Sequence, residues 1–137
     1  MRYYAVLDTN VLVSAMLKIG SVPFEVVMEA LNGDIIPLLS DEIFREYEDV
    51  LSRPKFKFDG KTVKILLDDF KHRAVHVNAD AESVKHLVLD EKDAVFYAVL
   101  MERRKENDAY LVTGNMRHFP MKPYIVTPRE MLARIRK

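Results

Sequence analysis

The sequence predicts an α/β fold with a mostly parallel sheet covered by helices on both faces. Three observations carry this. Five short runs read as strands that are apolar nearly throughout, as in strands buried on both faces. Helical patterns fill the gaps between them, so strands and helices alternate along the chain. The composition, 49% hydrophobic and 31% charged, belongs to a chain that builds a core. At 137 residues, one domain spanning 1–137 is expected, burying roughly two thirds of its surface without cross-links.

The elements follow in order. The first strand is expected over Tyr3–Leu7, and a helix from near Val11. Phe24, Val27, Met28 and Leu31 repeat at i, i+3, i+4, i+7, and Gly33 supplies the stop. The second strand is Ile35–Leu39, although Pro37 lacks the N–H a central strand uses. The next helix starts after Ser40, carries Ile43, Phe44, Tyr47, Val50 and Leu51, and stops before Pro54. Lys61–His72 reads as a helix and Ala74–Val77 as the third strand. From Lys92 to about Lys105 the pattern is apolar nearly all round, which predicts a central, covered helix. Strand four is Ala109–Thr113, followed by Gly114, which permits a turn with positive φ. Strand five is Tyr124–Val126. The last helix opens on Thr127-Pro128-Arg129-Glu130, a capping box with proline at the first helical position.

Composition narrows the function. Lys plus Arg equals Asp plus Glu at 21 each, so nucleic acid would be gripped by a local patch and not by a global basic field. There are no cysteines, which excludes disulfides and thiolate metal sites and fits a reducing compartment. Asp8 comes too early for a signal peptide's apolar region, and no uncharged stretch approaches the ~20 residues of a membrane helix. A cytoplasmic protein without membrane contact is expected. The four glycines, Gly20, Gly33, Gly60 and Gly114, form no phosphate-cradling cluster.

In parallel sheets, sites form beyond the carboxyl ends of the strands. Asp8 directly follows the first strand, with Thr9 and Asn10 in the same turn; any of the three could cap the next helix. Glu46 sits at the margin of its helix's apolar stripe, although Glu42, Glu48 and Asp49 nearby also fit a solvated face. Asp90 and Asp93 open the central helix, where acids favour the positive end of the dipole. Asp93 shares its side with Phe96, Tyr97 and Leu100, and a carboxylate there needs a partner. Asn115 lies past the fourth strand. Two carboxylates about 4 Å apart repel by roughly 4 kcal/mol at an effective dielectric of 20. A cluster of Asp8, Glu46, Asp93 and Asp90 must take up protons or a cation. Oxygen ligands without Cys or an evident His favour Mg²⁺ or Mn²⁺, suited to phosphodiester hydrolysis.

These residues in this order resemble the PIN-domain family, close to its toxin-like VapC-type branch. LDTNVLVSA is similar to the family's first motif, SDEIFREYEDVLSRPKF to its second, DEKDAVFYAVL to its third and LVTGNMRHFP to its fourth. The resemblance implies an α/β/α sandwich with a short, mostly parallel sheet. It implies a metal-dependent endoribonuclease, with Asp8, Glu46 and Asp93 catalytic and metal-binding. Asp90 and Asn115 would be accessory ligands, and Thr9, Asn10 and Thr113 would orient the site, Thr9 or Asn10 also capping the helix. Many members carry aspartate where this chain has Asn115, which can ligate through its carbonyl but adds no charge. The implied partners are single-stranded or structured RNA, a cognate antitoxin and a second copy of the chain.

For RNA contact, the candidates are Arg117 and His118, which adjoin the proposed metal, and Arg53 and Lys55 in SRPKFKF. His72, His76 and His86 show no metal-site spacing. The basic residues of the last helix fit its C-terminal dipole. The alternative within the fold is a catalytically weak or inactive domain that binds RNA or an antitoxin without cutting, and Asn115 is its support. A phospho-transfer regulatory domain would want an acidic pair after strand one and a late lysine. A haloacid-type phosphatase would want a second acid where Asn10 stands.

Overall fold

The structure, a computed structural model, describes residues 2–137. Five parallel strands form one sheet: β1 (Tyr3–Leu7), β2 (Ile35–Leu39), β3 (Val75–His76), β4 (Ala109–Val112) and β5 (Ile125–Val126), in the order β3-β2-β1-β4-β5. The helices are α1 (Thr9–Leu17), α2 (Val22–Asn32), α3 (Asp41–Leu51), α4 (Gly60–Arg73), α5 (Ala94–Arg104) and α6 (Pro128–Ile135). α2 and α4 pack on β2, and α5 packs on β1, β2 and β4. With right-handed crossovers, the helices cover both sides of the sheet. The α/β sandwich expected from the sequence is the architecture observed.

β1 and β2 have the expected bounds. β3 and β5, the two edge strands, are only two residues long, so they are shorter than the apolar runs suggested. An edge strand pairs on one side only, and apolarity marks burial without telling how far the ladder runs. Pro37 is accommodated because alternate residues address opposite neighbours. The Leu39 carbonyl accepts from Val77 N–H on the β3 side, so Pro37 faces that side too, where pairing starts only at Leu38. Its missing N–H removes no ladder bond.

Helix ends follow local chemistry. Ser21 and Ser40 accept from the N–H groups of Phe24 and Ile43, capping α2 and α3. Gly33 ends α2 with φ 95°, the left-handed conformation that favours glycine. The capping box at α6 is present in full. α5 starts later than its apolar pattern, because Glu91–Asp93 forms a 3-10 turn first. No single helix among the described residues is long and apolar enough to cross a membrane.

The core is continuous across the sheet. Tyr47 on α3 meets Phe70 on α4 edge-on at 5.8 Å between ring centres, and Phe96 on α5 at 6.5 Å. All three rings are fully buried. Chain direction divides the sheet at β1: β2 and β3 are added on one side of it, β4 and β5 on the other. The crevice beyond the carboxyl ends of β1 and β4 is therefore where this topology opens a site.

Candidate active site

Asp8 stands at that crevice. Its N–H continues the β1–β4 ladder, donating to the Val112 carbonyl at 2.9 Å. The residue is buried, 6% exposed. Its Oδ2 accepts from the Thr113 hydroxyl at 2.7 Å and from Asn10 Nδ2 at 3.1 Å. Thr113 Oγ1 in turn accepts from Asn115 N–H at 2.9 Å, and Asn10 Oδ1 accepts from Gly114 N–H at 3.0 Å. One strand end thus holds the side chain delivered by the other.

Two expectations need correction here. Neither Thr9 nor Asn10 caps α1, which has no side-chain cap hydrogen bond. Their side chains turn to the pocket instead: Asn10 holds Asp8, and the Thr9 hydroxyl donates to Glu46 Oε2 at 2.7 Å. Gly114 does not take a positive φ, since the only glycines that do so among the described residues are Gly20 and Gly33. Its small size matters in another way: a Cβ there would stand 3.4 Å from Asn10 Oδ1, the acceptor of its own N–H.

The third acid arrives from the other layer. Asp93 closes the 3-10 turn ahead of α5 and makes no cap hydrogen bond. Its Oδ2 stands 3.0 Å from His118 Nδ1. This is the partner the sequence required for a carboxylate on an apolar flank, and the sequence did not name it. The sequence marks His118 only as a candidate RNA contact, with no signal for its contact with Asp93. Asp90, by contrast, is exposed and spends Oδ1 on Lys92 N–H at 3.0 Å.

Electrostatics tie the acids together. Burial pushes the Asp8 carboxyl up to about 6, the Thr113 hydrogen bond opposes this, and the charges of Asp93 and Glu46 raise it further. Burial likewise raises Asp93, His118 draws it down, and Asp90 and Glu46 push it up. Beneath them, fully buried Tyr47 donates its hydroxyl to the Leu7 carbonyl at the end of β1. Burial raises its phenol well above the ordinary value, and Asp8 and Glu46 add to that. Tyr47 reads in the sequence only as a core residue of α3; no spacing signal marks its polar end.

Among the described residues, no Lys or Arg ion-pairs with Asp8, Glu46 or Asp93; the ion pair of Asp93 is with His118. Nor do three acids or histidines there close on one point tightly enough to enclose an ion as they stand. Hydrogen bonds from Thr113, Asn10, Thr9 and His118 hold each carboxylate individually.

The remaining candidates lie at the margin. Asn115 is exposed, with its N–H on Thr113 and its carbonyl accepting from His118 N–H at 3.0 Å. Arg117 is exposed in the same short turn, Met116–His118. Arg53 and Lys55 follow the far end of α3. Arg53 pairs with Asp49 at 3.0 Å, and Lys55 sits over the Phe56 ring at 5.1 Å.

Thr113 offers a direct measure of how firmly the pocket is built. Thr113→Val removes the donor that opposes Asp8's burial and leaves a buried carboxylate short of a bond. A loss of about 1–3 kcal/mol in unfolding free energy at neutral pH is expected in urea titration. An unchanged midpoint would mean that the Thr113–Asp8 bond contributes nothing.

Comparison with known proteins sets this geometry in context. Comparing the sequence with curated proteins gives no match. The structure is similar to a solved chain of VapBC2 from Rickettsia felis, determined bound to a DNA fragment from the promoter. The TM-score is 0.58 at 17% identity, covering 90% of this chain and 96% of that one, a likeness of fold. Residues 4–117 match the family model for the PIN domain. That match takes in Asp8, Glu46, Asp93, Thr113 and Asn115 and ends one residue short of His118, and the chain belongs to the PIN domain family.

Proposed function

We propose that this chain is a metal-dependent endoribonuclease, a single domain over residues 1–137 that hydrolyses RNA phosphodiester bonds at the pocket of Asp8, Glu46 and Asp93. The observation that carries it is the electrostatic state of that pocket. Asp8 is buried beside two further carboxylates, has its carboxyl raised to about 6 and, among the described residues, has no basic side chain paired with it. Such a set is relieved by a proton or by a cation. Oxygen donors suit Mg²⁺ or Mn²⁺. A divalent ion bound there supplies Lewis-acid assistance to the phosphate and to the attacking water.

The chain's own residues prepare the rest. Thr113 and Asn10 commit one oxygen of Asp8 and leave the other as a ligand. Thr9 does the same for Glu46. Asp90 and Asn115 stand at the rim as accessory ligands. Arg117, exposed beside them, suits a backbone phosphate, and Arg53 and Lys55 offer a second, more distant grip.

A toxin role in a type II toxin–antitoxin pair, with an antitoxin partner, is supported by PIN-family membership and by the likeness of fold to a chain of VapBC2; a cytoplasmic homodimer is the form this reading takes. Co-expression with the protein encoded next to it tests the pairing; separate elution of the two chains in gel filtration argues against it. For the activity, purified protein is incubated with single-stranded RNA and Mn²⁺, with Asp8→Asn as the control. Cleavage by the wild type alone is expected. Equal cleavage by both proteins sinks the assignment, and RNA binding with no cleavage by either favours the non-cutting alternative that Asn115 suggests.

A further inference from the structure

One contact at the pocket involves a residue that none of the acid motifs requires. His118 is 25 residues along the chain from Asp93, yet its Nδ1 lies 3.0 Å from Asp93 Oδ2. The backbone that delivers the ring is fixed from two sides. His118 N–H donates to the Asn115 carbonyl at 3.0 Å, and the His118 carbonyl accepts from Leu89 N–H at 3.1 Å. The imidazole is thereby clamped between the loop after β4 and the segment leading into α5. The contact lies in the pocket wall, with the Asp93 side chain 16% exposed and that of His118 38%.

The chemistry of the three acids makes the role specific. Each has one oxygen engaged by an uncharged or tautomer-selected donor: Asp8 by Thr113 and Asn10, Glu46 by Thr9, Asp93 by His118. No element of its own helix holds Asp93, which does not cap α5. A neutral imidazole bonded to a carboxylate through Nδ1 carries its proton there and donates it. We propose that His118 is a positioning residue for divalent-cation binding, its Nδ1–H holding Asp93 Oδ2 so that the second oxygen of that carboxylate is presented to the ion. This rests on the reading that the pocket takes Mg²⁺ or Mn²⁺. Donors that orient ligating side chains in this way are worth about 10–100-fold in metal affinity.

Isothermal titration calorimetry of RNA-free protein with MnCl₂ tests it, so that no cleavage assay enters. His118→Ala is expected to bind Mn²⁺ about 10–100-fold more weakly than wild type. His118→Asn places an amide N–H near the position of Nδ1 and is expected to stay close to wild type. The Leu89–His118 backbone bond survives in both, so a purely structural loop role would not separate them. Should His118→Ala fail to fold, His118→Gln replaces it, with its amide near the Nε2 position and the same loss expected. Wild-type affinity in His118→Ala or His118→Gln overturns the proposal, as does equal weakening in the Asn variant. A role confined to gripping RNA would leave Mn²⁺ affinity unmoved and also counts against it. If the wild type takes up no Mn²⁺, the nuclease reading itself fails, an outcome distinct from normal uptake by the variants.

Discussion

Asp8→Asn is expected to abolish RNA cleavage and, at neutral pH, to make the protein more stable. The activity follows from the ligand set. Removing the charge of the most buried acid forfeits several kcal/mol of transition-state stabilisation, a loss of at least ~10³-fold. The stability follows from linkage. The folded carboxyl titrates at about 6, against an ordinary value of 3.8. Between those values the folded state holds more protons than the unfolded chain, so stability falls as pH rises from 3.8 toward 6 and stays low above it. Two pKa units at about 1.4 kcal/mol each set the cost near 3 kcal/mol at pH 7. Asparagine carries no charge to desolvate, and its carbonyl can still accept from Thr113 and Asn10. Urea unfolding should show a gain of up to about 3 kcal/mol at pH 7.5 that shrinks to nothing near pH 4. A variant less stable than wild type at both pH values would show that Asp8 carries no such burden.

Divalent cation should reverse the same burden without mutation. At a hundredfold excess over its dissociation constant, Mn²⁺ stabilises the protein that holds it by about 2.7 kcal/mol. For a chain of this size that is roughly 5–15 °C in melting temperature. The rise is expected in wild type, absent in Asp8→Asn, and cancelled by EDTA, which should also end cleavage. Because ligation requires the ionised carboxylate, the affinity should climb as pH passes through 6, the region where Asp8 loses its proton. A melting temperature indifferent to Mn²⁺ at pH 7.5 would argue against a cation at these acids.

Much of this architecture is legible from apolarity alone. Tyr3–Leu7 and Ile35–Leu39 are strands over their whole expected length, because both are interior and paired on two sides. The edge strands are shorter than their apolar runs, since burial under a helix and ladder pairing are separate properties. At the site, the strand-end filter picks out Asp8, Glu46 and Asp93, and the fold brings these three acids within electrostatic reach of one another. The hydrogen-bond wiring is less visible. Thr9 and Asn10 look like caps because caps are what such residues most often provide, but the N-cap position belongs to Asp8, and both side chains donate to carboxylates while Gly114 N–H takes the Asn10 amide oxygen. The contact of His118 with Asp93 stays hidden for a different reason: it spans two loops, and no local spacing encodes it.

The bond from Thr113 to Asp8 joins residues 105 positions apart. During synthesis, β1 precedes β4 and must wait with one edge open until β4 arrives to pair with it. At about 5–20 residues per second that wait lasts roughly 5–20 seconds. Asp8, Glu46 and Asp93 have all been made by then, yet the donor that sets the first of them has not. A copy made only as far as Asp93 therefore holds the three acids without the Thr113 donor, and the pocket is completed only once β4 and the residue after it have been made.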